Sequence, residues 1–81
     1  MIEEDYRYVS CGGDPFTYLK SAFRAMKIEL EPGQEGRMLL LKEKFPYKKN
    51  IFNSLASQNK MEISKFEEKD GELTVEMIRK E

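Results

Sequence analysis

The sequence contains no histidine and no tryptophan, and it has a single cysteine, Cys11. One thiol forms no internal disulfide. Without imidazole the usual Cys/His zinc sites cannot be assembled within one chain, so no structural metal is expected. The same gaps remove Ser-His-Asp and Cys-His machinery, and any nucleophile must draw its activation from backbone dipoles or cations. Long apolar runs are also missing. The longest, Met38 to Leu41, falls far short of the roughly 20 residues of a membrane helix. The acidic start MIEEDY lacks the basic and apolar regions of a signal peptide. These absences point to a cytoplasmic chain with no membrane partner. Charge of one sign is not in excess either. Fourteen Lys and Arg face fifteen Asp and Glu, for a net charge of -1, so no global field favours nucleic acid and any such binding must come from a local patch. No cofactor is expected: GGDP lacks the length and the Lys of a phosphate-binding loop, and no Arg follows Cys11 at the spacing of a thiol phosphatase.

What is present suits one small ordered domain. The 81 residues leave room for a single core, and a chain of this size buries roughly 60 to 65% of the surface it exposes when unfolded. Hydrophobic residues at 40% against charged residues at 36%, with no low-complexity tract, favour order over disorder.

Asp5 to Ser10, with Tyr6 and Tyr8 alternating with Arg7 and Val9, reads as a first strand stopped by Gly12 and Gly13. Asp14 is a good N-cap and Pro15 suits a first helical position. Phe16, Leu19, Ala22, Phe23 and Met26 follow at helical spacing, predicting helix one over Pro15 to Ile28. The Pro-Gly turn in EPGQEG precedes an apolar strand, Met38 to Leu41, whose lack of alternation implies neighbours on both sides. This is a βαβ unit. Pro46 is the expected start of a second helix, with Tyr47, Ile51, Phe52 and Leu55 on its apolar face and Asn59 and Lys60 at its end. Ile63 to Glu67 and Leu73 to Ile78 flank an Asp70-Gly71 hairpin signal. Leu73, Val75 and Met77 share one face of the last strand, which leaves the other face of the sheet to solvent and both helices on the apolar one. The expected fold is thus an α/β (α+β) two-layer sandwich, β-α-β-α-β-β, with a four-stranded mixed sheet in a single domain over residues 1–81.

That element order, a lone Cys entering the first helix, a Pro-Gly turn before the second strand and a Pro-led second helix resemble the TusA/SirA-like sulfur-carrier family over nearly the whole chain. The family's CPxP motif has its counterpart in CGGDP, with Gly12 in place of the first Pro and Pro15 in place of the second. Its PGE-like turn and aliphatic strand correspond to PGQEG and Met38 to Leu41, and its basic strand end to Met77 to Lys80. The resemblance implies a sulfurtransferase activity in which Cys11 takes up sulfur as a persulfide from a donor protein and relays it to an acceptor. Gly12, Gly13, Asp14 and Pro15 then shape the loop and helix start around it.

The residues themselves leave other readings open. Cys11 is either a buried small hydrophobe or an active thiol, with a redox or regulatory thiol as the weaker third option. A helix-terminal dipole worth about 0.3 to 1 kcal/mol raises the thiolate fraction of a free thiol at pH 7 from roughly 3% to at most about 15%. Asp14 opposes this by capping the same N–H groups and by like charge, so the thiol is expected to be only weakly activated. Gly12 and Gly13 serve either as a strand-to-helix turn or as a positive-φ anion cradle, the turn being favoured. Lys42, Lys44, Lys48, Lys49 and Lys60, flanked by Phe45 and Tyr47, form a lysine-rich edge around the second helix. It is either a solvated face or a docking surface, chiefly through Lys44, Lys48 and Lys49, for an acidic protein or, as the less favoured partner, RNA. A non-catalytic interaction module using that edge is the alternative to the carrier. Phe16, Phe23, Phe52 and Phe66 are expected in the core.

Overall fold

The computed structural model describes residues 1–9 and 13–81; Ser10, Cys11 and Gly12 lie outside the described residues. The chain runs β1 (Ile2–Asp5), α1 (Pro15–Glu29), β2 (Glu35–Leu41), α2 (Lys49–Gln58), β3 (Met61–Lys69) and β4 (Glu72–Arg79). The four strands form one sheet in the order β1-β2-β4-β3. β1 and β2 are parallel, and the other two pairings are antiparallel. The result is the expected two-layer α+β sandwich with a mixed sheet.

β2 and β4 occupy the middle, and their alternation builds the core. Met38 and Leu40 of β2 with Leu73, Val75 and Met77 of β4 are buried, while Arg37, Glu76 and their neighbours line the open face. Leu19, Ala22, Phe23 and Met26 of α1 and Phe52, Leu55 and Ala56 of α2 close over the buried side. Fully burying a large apolar side chain contributes about 1.5 to 3 kcal/mol, so Phe23, Phe45 and Phe52, all at 0% exposure, anchor the assembly. α1 packs tightly on β2 at Gly36, where an added Cβ would lie 2.7 Å from Met26 Sδ.

The hairpin forms as its turn residues dictate. Asp70 and Gly71 both have positive φ, 53° and 79°, the signature of a two-residue turn whose twist matches that of the strands. Within β3 a bulge between Ile63 and Lys65 puts both Ile63 and Phe66 on the helix side despite their spacing of three.

Two boundaries and the burial of two phenylalanines stand out against expectation. The first strand is Ile2–Asp5, not Asp5 to Ser10. Tyr6 N–H makes the last ladder bond, to Leu39 O (2.8 Å). The Asp5 carboxylate then accepts from Arg7 N–H (3.0 Å) and Arg7 Nε (3.0 Å), turning the chain out of the sheet. Helix two begins at Lys49, not at Pro46. After β2, Lys44 N–H and Phe45 N–H both bond to Leu41 O (3.1 Å each). This turn sends Phe45 into the core, and Lys48 remains extended (ψ 162°) before the first helical residue. Phe45 is therefore a core residue and not part of a docking edge. Finally, Phe16 and Phe66 are only partly buried against the core.

Candidate functional site

α1 begins at Asp14 because an Asp-Pro pair supplies both a side-chain acceptor and a preset φ. Asp14 Oδ1 accepts from Phe16 N–H (3.0 Å) and Oδ2 from Thr17 Oγ (3.0 Å). Both carboxylate oxygens are thus engaged, and one of the helix's unpaired N–H groups is satisfied from within. Thr17 is a partner that composition and periodicity do not reveal; its signal is the D-x-x-T spacing at a helix start. Gly13 is exposed and does not have positive φ, and an added Cβ there would meet nothing within 4 Å. It acts as a bend and not as a left-handed cradle. Gly12 and Cys11 lie outside the described residues.

On the incoming side, the segment leaving β1 is held from across the fold. Lys44 Nζ donates to Val9 O (2.8 Å) and to Arg7 O (3.3 Å), so its ammonium faces the β1–α1 connection. The described ends of the β1–α1 connection are therefore each held, Val9 by Lys44 and Asp14 by its capping contacts. The elements on either side of the connection meet in an aromatic cluster. Tyr6 and Tyr18 meet edge-on (5.9 Å, 85°), Tyr18 lies against Phe45 (6.0 Å), and Phe16 meets Tyr47 edge-on (5.6 Å, 73°). Contacts of this kind add about 0.5 to 1.5 kcal/mol each beyond burial and join the segment after β1, α1 and the β2–α2 loop.

Charge on this side is organised by Arg7. Its guanidinium bonds Asp5 Oδ2 (2.9 Å) and reaches Glu72 (3.4 Å). The guanidinium's hydrogen bonds and the Arg7 backbone N–H hold the Asp5 carboxyl down at about 2, and the same contact raises Arg7. Burial, followed by the nearby Glu4, Tyr18 and Glu29, pushes the Tyr6 phenol up to about 12. Tyr6 therefore stays protonated at neutral pH and is no base. Glu29 is raised by a side-chain hydrogen bond with Glu4 and by desolvation.

The five lysines of the expected edge do not form one patch. Lys42 pairs with Glu68 of β3 (2.6 Å), and Lys60 lies 4.0 Å from Glu81 at the opposite end of α2. Lys44 is bound to backbone carbonyls. Only Lys48 and Lys49 remain adjacent, exposed and without an ion pair among the described residues. They sit at the start of a helix with no acidic residue in its first turn. Tyr47 is half-buried on Phe16.

Among the described residues no group of three or more acidic or thiol side chains could hold a metal, and no helix is long and apolar enough to cross a membrane. Compared with protein-family models, with curated proteins and with solved structures, the chain matches none.

Proposed function

We propose that this protein is a cytoplasmic sulfur carrier of TusA-like type, with Cys11 as the sulfur-bearing residue. The observation that supports this most is the double tether of the β1–α1 connection, by Lys44 at Val9 and by Asp14 at the helix cap, in a β-α-β-α-β-β sandwich. A carrier thiol has to be presented at a fixed place to large protein partners, and it needs no cavity of its own.

In the proposed step the Cys11 thiolate attacks the outer sulfur of a donor cysteine persulfide. The S–S bond to Cys11 forms as the donor's S–S bond breaks, and the donor cysteine leaves as a thiolate. One sulfur atom changes hands with no external oxidant or reductant. Transfer to the acceptor repeats the exchange in the other direction. Because Asp14 already occupies the Phe16 N–H, little of the helix terminus is left for a thiolate, and the donor has to supply most of the activation. The reducing cytoplasm keeps such a lone thiol free between transfers. The test is incubation with a desulfurase that generates persulfide, read by intact mass. A sulfur adduct on the native chain and none on Cys11→Ser supports the carrier; its absence on the native chain refutes it.

A second reading, a non-catalytic interaction module, is favoured by Lys48 and Lys49 at the positive end of α2, which have no ion pair among the described residues. It predicts that reversing both charges abolishes capture of an acidic partner while Cys11→Ser leaves it intact. The opposite pattern rejects it.

A further inference from the structure

β1 and β3 are the two edges of the sheet, and the chain protects them unequally. β1 is four residues long with three acids, the kind of short, charged edge that resists pairing. β3 has nine residues. Its second half is guarded by the bulge at Ile63/Lys65 and by Lys65 itself. Its first half, Met61–Ile63, has no such guard.

Register shows which backbone groups are free there. Lys80 N–H donates to Lys60 O (2.8 Å), and opposed residues in an antiparallel pair alternate between bonded and non-bonded. With Met61 opposite Arg79, Glu62 opposite Ile78 and Ile63 opposite Met77, the bonded pair is Glu62–Ile78, and the N–H and C=O groups of Met61 and Ile63 point away from β4. The turn end gives the same phase, because Lys69 and Glu72 flank a two-residue hairpin loop as a bonded pair. No side chain or loop group among the described residues takes up the Met61 and Ile63 groups.

This free edge borders a groove of 550 Å³ between β3 and α2, lined by Lys49, Asn53 and Ser57 on one stripe of the helix, by Met61 and Ile63 of the strand, and at the Met61 end by Lys60 and Lys80 together with Glu62 and Glu81. Lys60 and Lys80 have acidic neighbours, Glu81 at 4.0 Å and Glu62 at 3.0 Å, but Lys49 has none among the described residues. Ammonium groups thus stand at both ends of a polar groove beside a strand with unpaired hydrogen-bonding groups. From Lys49 to Ser57 the helix rises about 12 Å, which four steps of an extended strand, about 13 Å, match.

We propose that this groove receives an extended acidic peptide segment of a partner protein, added as a fifth strand to β3 at Met61–Ile63. Its backbone bonds the free Met61 and Ile63 groups. The peptide runs parallel to β3, so that its odd-numbered side chains share the helix side with Met61 and Ile63; an acidic side chain at its first position meets Lys60, and one at its fifth position meets Lys49. A second copy of this chain is the poorer occupant, since edge-to-edge pairing would bring the same lysines of two molecules together. The surface does not involve Cys11, so the inference stands apart from the carrier reading.

The test titrates ¹⁵N-labelled protein with the acetylated, amidated peptide Glu-Val-Thr-Val-Glu, following amide shifts. Saturable shifts at Met61, Ile63, Asn53 and Ser57 are expected, with no response to Lys-Val-Thr-Val-Lys. N-methylation of both valine amides is expected to weaken binding at least about tenfold, since it removes the strand-pairing donors. Lys49→Met is expected to weaken it by at most about fivefold, as for one exposed ion pair. The proposal is overturned by an absence of shifts at millimolar peptide or by shifts confined to the open face of the sheet. An equal response to the lysine peptide or indifference to N-methylation also overturns it, as does a concentration-dependent dimer through Met61–Ile63 without peptide.

Discussion

Lys44→Met isolates the tether on the β1–α1 connection, because methionine keeps the unbranched stem and removes only the ammonium. The wild-type ammonium makes one short bond, to Val9 O at 2.8 Å, and one long bond, to Arg7 O at 3.3 Å. A hydrogen bond to a charged group contributes about 1.5 to 3 kcal/mol when well formed. The long bond adds little, and Lys44 is half-exposed, so water replaces part of what is lost. The expected destabilisation is about 1 to 2 kcal/mol. For a chain this small, whose total stability is about 4 to 12 kcal/mol, that is a large share. Urea unfolding followed by far-UV circular dichroism should show it. With a slope near about 1 kcal/mol per molar urea, the midpoint falls by about 1 to 2 M with the slope unchanged. The alkylation rate of Cys11 in buffer should rise in the same variant, and Lys44→Arg should restore much of both. A midpoint within about 0.3 M of wild type, together with an unchanged alkylation rate, would refute the claim that Lys44 holds this segment.

Other outcomes follow from single contacts. Asp14→Ala removes the α1 cap and should cost about 0.5 to 2 kcal/mol in the same unfolding assay, with Asp14→Ser recovering most of it. Gly71→Ala places a Cβ at φ 79° and should destabilise the hairpin by about 1 kcal/mol, visible as faster hydrogen exchange at the β3–β4 turn end than in the wild type. The Asp5 carboxyl, held at about 2 against an ordinary 3.8 by Arg7, binds its proton more weakly folded than unfolded. Its contribution is therefore complete above the ordinary value and is lost as pH falls from 3.8 toward 2. Carboxyl-carbon NMR titration should show this low midpoint and its return toward the ordinary value in Arg7→Met.

Local rules sufficed where one stretch of chain decides its own structure. Asp14-Pro15 and the spacing of Leu19, Ala22, Phe23 and Met26 define α1 almost to the residue. Asp70-Gly71 defines the hairpin. They failed where tertiary contacts decide. Ile2–Asp5 is acid-rich and reads poorly as a strand, yet it pairs with β2 because Ile2 and Tyr6 pack against the core on its helix side. Phe45 sits among lysines and reads as surface, but two hydrogen bonds back to Leu41 O turn it inward. The bulge in β3 shows in the sequence only as a broken alternation, Ile63 and Phe66 lying three residues apart, which by itself does not name a bulge.

The candidate site divides the same way. Asp14 and Pro15 are readable from local chemistry, whereas the contact between Lys44 and Val9 joins residues 35 positions apart and leaves no trace in composition or spacing. Lysine count likewise suggested one basic edge, but side-chain direction splits it among a β3 carboxylate, two backbone carbonyls and the two ends of α2. What remains of that edge, Lys48 and Lys49, is small enough that its field is local and screened within about 8 Å at physiological salt.

The central claim is that Cys11 carries sulfur, and peptide mapping tests it most directly. The native protein is exposed to a persulfide-generating desulfurase, the product is capped with an alkylating reagent, and the peptide containing Cys11 is read by mass spectrometry. An alkylated peptide bearing one added sulfur is expected, lost in Cys11→Ser and transferable to an acceptor thiol. A desulfurase that demonstrably forms its own persulfide, while the Cys11 peptide is recovered only as the plain alkylated thiol, would contradict it.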